Sequence, residues 1–168
     1  ITSSQVLCYD SLAANLNLIS QPIGGNSQFN YRWQSSLDSF NWNSASGINN
    51  ATFYSPGNLT TSKFFRLENT STFSNLCIPR YSDTILIEVL NPLIAGSITN
   101  DQTICYNTVP DQLEFSTLPD GANGDYLFQW QESTDNINWT IINGAVVTSL
   151  QPLSLLESTY YRVKVTSN

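Results

Sequence analysis

Apolar and polar side chains alternate along this chain in short runs. Leu16 and Leu18 flank Asn17, and Phe29, Tyr31 and Trp33 are separated by Asn30 and Arg32. The same spacing returns in Leu113 and Phe115, and then in Tyr126, Phe128 and Trp130. Phe65 and Leu67 flank Arg66, Tyr161 and Val163 flank Arg162, and Ile85, Ile87 and Val89 form one more run. A period of two sends alternate side chains to opposite faces of a strand, so these runs predict half-buried β-strands. Turn sequences stand between them: Gly24-Gly25-Asn26, Ser55-Pro56-Gly57-Asn58, Asn123-Gly124 and Asn143-Gly144. No stretch carries a helical stripe of useful length. Strands of this kind, with turn signals every ~8–12 residues, describe a β-sandwich.

The chain also repeats itself. At an offset of 97, Ile1-Thr2 falls on Ile98-Thr99, Gln5 on Gln102 and Cys8-Tyr9 on Cys105-Tyr106. Trp33-Gln34 falls on Trp130-Gln131, Asp38 on Asp135, and Asn41-Trp42 on Asn138-Trp139. After one deletion the offset is 96, which pairs Pro56 with Pro152, Leu59 with Leu155 and Arg66 with Arg162. Self-similarity at a fixed period marks repeated structural units. The expected fold is therefore all-β: two tandem immunoglobulin-like β-sandwich domains, residues 1–91 and 92–168. The second lacks a counterpart of Cys77 and of the last strand, Asp83 to Leu90. The parent protein is expected to continue past Asn168. No basic-then-apolar leader precedes Ile1, so an export signal is expected outside this stretch. Pro92 restricts the backbone of the Asn91-Pro92 link, which predicts a semi-rigid connection.

In the β-sandwich architecture an inward Trp is the usual core anchor, a role that fits Trp33 and Trp130. Trp42 and Trp139 follow a turn and are expected to pack with part of the ring exposed. Arg66 and Arg162 are expected on the outer strand face, bridging neighbours.

Charged residues make up only 11% of the 168 residues, less than half the usual ~25%. Asn, Ser, Thr and Gln fill the surface instead, as suits an open, salty exterior. Thirteen acids against six scattered bases give a net charge of −7, which excludes nucleic acid as a partner. No apolar run approaches the ~20 residues of a membrane-spanning helix, so membrane insertion is not expected.

Cys8 lies just after the first predicted strand and Cys77 just before the last. The two are expected to meet at one end of the sandwich, in a disulfide worth ~3–4 kcal/mol. Cys105 is the equivalent of Cys8 and is expected to stay unpaired within this stretch. A disulfide would place the protein outside the cytosol.

The sequence contains no His, which removes the usual Ser-His-Asp and Cys-His catalysts and, with no CxxC pair, a structural zinc site. A glycosidase needs two carboxylates facing one cleft. Asp38, Glu68, Glu132 and Asp135 are available, but Asp38 and Asp135 are one position in two separate copies. Each sits in Ser-x-Asp-x-x-x-Trp, where an Asx-turn is the ordinary use of Asp and calcium ligation the lesser alternative. No other cofactor is expected, and no enzymatic activity. Sequons occur at Asn50, Asn58, Asn69 and Asn138.

The repeated pattern reads Gln-x-x-Cys-Tyr, then Tyr-x-Trp-Gln-x-Ser-x-Asp-x-x-x-Trp, then Leu-x-x-(Ser/Thr)-x-(Phe/Tyr)-(Phe/Tyr)-Arg. It spans Gln5 to Tyr9, Tyr31 to Trp42 and Leu59 to Arg66, and again Gln102 to Tyr106, Phe128 to Trp139 and Leu155 to Arg162. This pattern resembles the Ig-like repeats of giant Bacteroidota cell-surface adhesins, the flavobacterial gliding-motility adhesins above all. The resemblance implies an extracellular, cell-surface location and a structural and adhesive role in surface attachment and gliding. It implies neighbouring repeats of the same chain as partners, with polysaccharide or the substratum as the target. The alternative is a carbohydrate-binding accessory module of a secreted hydrolase, with Phe40, Phe53, Tyr54 or Tyr81 stacking on sugar rings. A eukaryotic receptor ectodomain is a third reading, favoured only by the sequons.

Overall fold

A computed structural model describes residues 1–73, 77–99 and 101–167. The fold is all-β, with no helix among the described residues. The chain divides into two compact units, Ile1–Leu90 and Asn91–Asn168.

The first unit contains β1 (Gln5–Leu7), β2 (Ser11–Leu12), β3 (Leu16–Asn17), β4 (Phe29–Ser36) and β5 (Asn43–Ser44). It continues with β6 (Phe53–Tyr54), β7 (Asn58–Leu59), β8 (Lys63–Ser71), β9 (Arg80–Tyr81) and β10 (Ile85–Val89). One layer is a sheet in the order β1-β10-β8-β4-β5, with β9 also on β8. Its spine is the antiparallel pair β4–β8, in register from Phe29 opposite Ser71 to Ser36 opposite Phe64. The other layer pairs residues 11–18 with 52–59, through Ser11 opposite Leu59 and Leu16 opposite Tyr54.

Because the register is fixed, every second side chain points into the space between the layers. Trp33, Phe65, Leu67, Ile85 and Ile87 come from the first layer, and Ala13, Leu16, Tyr54 and Leu59 from the second. The Trp33 and Tyr54 rings stack at 6.0 Å, and Tyr54 meets Phe65 at 5.8 Å. Each large side chain buried in this way contributes ~1.5–3 kcal/mol.

The second unit contains β11 (Ser97–Ile98), β12 (Leu113–Thr117), β13 (Tyr126–Ser133), β14 (Thr140–Ile141), β15 (Ser149–Leu150) and β16 (Tyr160–Ser167). Its layers are β11-β12-β15 and β14-β13-β16. Leu113 opposite Leu150 and Trp130 opposite Val163 repeat Leu16 opposite Tyr54 and Trp33 opposite Leu67. The start of the unit is tied down where the Ala122 amide donates to the Asn91 carbonyl. Gly121 makes this approach possible: its φ is +81°, and a Cβ there would run into the Pro92 carbonyl oxygen.

The two cores differ in depth. Among the described residues of the second unit the buried core hydrophobics are Leu113, Trp130 and Leu150, with Tyr161 and Val163 half-covered. The physical cause is β10. It is an interior strand of its sheet, paired with β8 on one side and with β1 on the other. No counterpart of it lies beside β16 among the described residues.

The same topology corrects the disulfide expectation. Cys8, Cys77 and Cys105 are all free thiols. β1 runs parallel to β10, with Leu7 opposite Val89, so Cys8 follows the C-terminal end of β10. Cys77 precedes β9, which pairs with Asn69 far along β8. Lys63, level with Ile87, and Asn69, level with Arg80, stand six positions apart along β8. At ~3.3 Å per residue that alone separates the cysteines by ~20 Å, whereas a disulfide needs Cα atoms within ~7 Å. Cys8 and Cys77 lie toward opposite ends of the sandwich.

Candidate functional site

The residues that the repeat shares assemble on each unit around one strand pair, β4–β8 in the first and β13–β16 in the second. Trp33 and Trp130 are fully buried. Their Nε1 atoms donate to the carbonyls of Ala51 at 3.0 Å and Val147 at 2.9 Å. A buried indole needs such an acceptor, so each Trp both fills the core and fixes the segment that crosses over it.

Where β4 ends, Ser36 and Asp38 form a closed turn. The Asp38 Oδ1 accepts from Ser36 Oγ and from the amides of Phe40 and Asn41 at 2.8–2.9 Å, and its Oδ2 accepts from Asn41 Nδ2 at 2.6 Å. Asp135 repeats this with Ser133, Ile137 and Asn138. The Asn amide and side chain, then the next amide and the Ser hydroxyl, hold both carboxyls well below the usual carboxylate range. Ser39 and Asn136 take positive φ inside these turns. Both carboxylates thus shape a loop. Among the described residues no three His, Cys, Asp or Glu side chains come together as a metal site.

On the outer face the shared Gln, Trp and Arg form a single cluster. The Arg66 Nε donates to Gln34 Oε1 at 2.8 Å while its guanidinium lies 4.1 Å from the Trp42 ring centroid. Arg162 donates to Gln131 at 2.7 Å and stacks on Trp139 at 4.1 Å. Trp42 and Trp139 are half-buried by these contacts. The first unit adds to the cluster: Tyr81 covers the other part of Arg66 at 3.9 Å. Glu68, which is buried, accepts from Arg32 at 2.7 Å and from Gln34 Nε2 at 2.8 Å. The Arg32–Glu68 hydrogen bond, and then the charge of Glu68, raise the Arg32 pKa. Glu68 is therefore a structural acid. Glu132 is exposed and lies in the other unit, where it borders an open cleft of about 430 Å³ together with Asp135 and Glu157.

The Gln-x-x-Cys-Tyr motif also has a local role. In Cys8-Tyr9-Asp10-Ser11 and Cys105-Tyr106-Asn107-Thr108 the third residue takes a φ of 56°. Its amide docks on the Leu59 carbonyl in one unit and on the Leu155 carbonyl in the other. Gln5 clasps Ala14 in both directions, at 2.9 and 3.1 Å, and Gln102 clasps Asp111 at 2.8 and 3.2 Å. Sequence reasoning noted these glutamines only as repeat markers. Their recurrence was the available signal, since a Gln kept at both Gln5 and Gln102 needs a partner for each amide.

Of the four candidate sugar-stacking aromatics, Tyr54 is corrected: it is core, only 4% exposed. Tyr81 is engaged with Arg66, while Phe40 and Phe53 are exposed. The sequon nitrogens of Asn58 and Asn138 already donate to the Asp10 carbonyl and to Asp135.

No curated protein matches the chain. A family described as "Domain of unknown function (DUF8696)" matches residues 1–91 and again residues 94–168. With both units matched, one copy after the other, the chain belongs to the DUF8696 family.

Proposed function

We propose that this chain is a structural and adhesive repeat module of a large secreted cell-surface adhesin, serving surface attachment and gliding. The observation that carries the reading is the use of the shared residues. Trp33, Asp38, Gln34, Trp42 and Arg66, with their counterparts, are all engaged inside their own unit. Repetition of a packing set, rather than of an open reactive group, suits a protein whose work is done by copy number. The low-charge surface and the resemblance of the motifs to adhesin repeats support the extracellular location. The cysteines no longer contribute to that argument. In this reading the module carries no catalysis, and calcium has no part in it.

Weak single contacts multiplied along an array supply adhesion without a tight site. The test uses beads carrying the chain at increasing density on polysaccharide-coated glass. Retention should rise steeply with density, while the free chain binds at millimolar or weaker, about 4 kcal/mol or less. Submicromolar binding of one free chain on a glycan array would sink the proposal. It would favour the carbohydrate-binding accessory module, for which exposed Phe40 and Phe53 are the supporting observation.

A further inference from the structure

In the second unit an open cleft of about 630 Å³ runs between residues 101–106 on one wall and residues 155–161 on the other. We propose that this cleft is an acceptor site for one β-strand of the repeat's own type. Its occupant is an extended segment with branched aliphatic side chains at every second position, as in Ile85, Ile87 and Val89.

The first unit contains such a strand in the equivalent place. There β10 lies between β8 and β1, and its Ile85 and Ile87 join a core bordered by Ile1, Leu7, Leu16, Leu59 and Phe65. The repeat offset maps those five onto Ile98, Ile104, Leu113, Leu155 and Tyr161, all of which line the cleft. The walls are thus the residues that receive β10 in the other copy. Their burial agrees: Phe65 is 2% exposed, whereas Tyr161 is half-covered and Ile104 is 38% exposed.

The backbone is prepared as well. β16 pairs with β13 on one side and is the outer strand of its sheet, so the other edge of Tyr161–Val165 faces no strand among the described residues. Residues 102–104 form no strand, yet Gln102 still clasps Asp111 as Gln5 clasps Ala14. The far wall is held in position without the strand it would pair with. Ser62 Oγ accepts the Val89 amide at 2.9 Å, and its counterpart Ser158 lines the cleft.

The mapping also fixes direction and register. The occupant runs antiparallel to β16 and parallel to residues 102–104. Its first inward residue lies opposite Tyr161, its second opposite Thr159 and beside Gln102, and its third beside Ile104, following Ile85, Ile87 and Val89. Main-chain hydrogen bonds supply affinity, and the apolar floor selects alternate aliphatics. This inference stands apart from the adhesive reading, since it needs only the two copies.

The test adds a peptide with the sequence of residues 83–90 to the full 168-residue chain and follows amide exchange by NMR. Exchange along β16 and residues 102–104 should slow at least about tenfold, with the first unit unchanged. A peptide carrying Ile85→Asp and Ile87→Asp should have no effect. A second arm joins the same segment to the C terminus through a Gly-Ser linker, where the unfolding temperature of the second unit should rise. No change in either arm overturns the proposal, as does equal slowing by the Asp peptide. Slowing that depends on protein concentration alone would assign the β16 edge to a second copy of the chain, and would overturn it too.

Discussion

The Arg66 guanidinium is held between Trp42, 4.1 Å away, and Tyr81, 3.9 Å away, while its Nε donates to Gln34. In the second unit Arg162 keeps the Trp139 stack and the Gln131 bond, and no Tyr81 counterpart is seen there among the described residues. A lysine offers neither the planar stack nor the Nε donor. Arg66→Lys should therefore cost about 1–2 kcal/mol and Arg162→Lys about 0.5–1 kcal/mol, read from denaturant unfolding of each single variant. Equal costs would show that Tyr81 adds nothing.

The difference in core depth predicts unequal sensitivity to truncation. Ile87 is fully buried in the first unit, whereas Val163 is half-covered in the second. Ile87→Ala should cost about 2–5 kcal/mol and Val163→Ala about 1 kcal/mol. Thermal unfolding followed by unit-resolved NMR signals would separate the two. A larger loss at Val163 would contradict the packing described.

The two turn aspartates give acid sensitivity with a defined sign. Hydrogen-bond donors lower the folded-state pKa of Asp38 and Asp135 below the ordinary value. Such groups contribute stability that is present above the unfolded value of ~3.9 and is lost as pH falls through the folded pKa. Asp38→Asn and Asp135→Asn should each flatten the pH dependence of unfolding below about pH 4. In both variants a side-chain amide would face the donor Nδ2 of Asn41 or Asn138, so stability at neutral pH should fall as well. An unchanged acid profile would mean that these turns open before the carboxylates titrate.

Cys8 and Cys105 are exposed and Cys77 is half-exposed, all as thiols. Intact mass measurement after alkylation without reductant should show three modified cysteines on each chain. Cys8→Ser should change stability by no more than about 0.5 kcal/mol, as expected of a surface site. A mass deficit matching a Cys8–Cys77 bridge would require a sheet order different from β1-β10-β8.

What the sequence determined by itself was the set of local rules, written twice. The period of two put Trp33, Phe65, Leu67, Ile85 and Ile87 on one face, because successive side chains on a strand must point to opposite sides. The Ser-x-Asp turns were legible for a similar reason: Asp38 and Asp135 are answered by amides two and three residues away. The order and direction of strands were not legible, since alternation says which face is buried but not which strand lies beside which. Only the tertiary structure placed β10 inside the sheet with β1 parallel to it. That single non-local pairing moved Cys8 to the end away from Cys77. Tyr54 looked like an exposed aromatic between turns until its pairing with Leu16 turned it onto Trp33. The cleft beside β16 was decided in the same way: its walls come from two segments far apart in the chain, residues 101–106 and 155–161, and only folding brings them face to face.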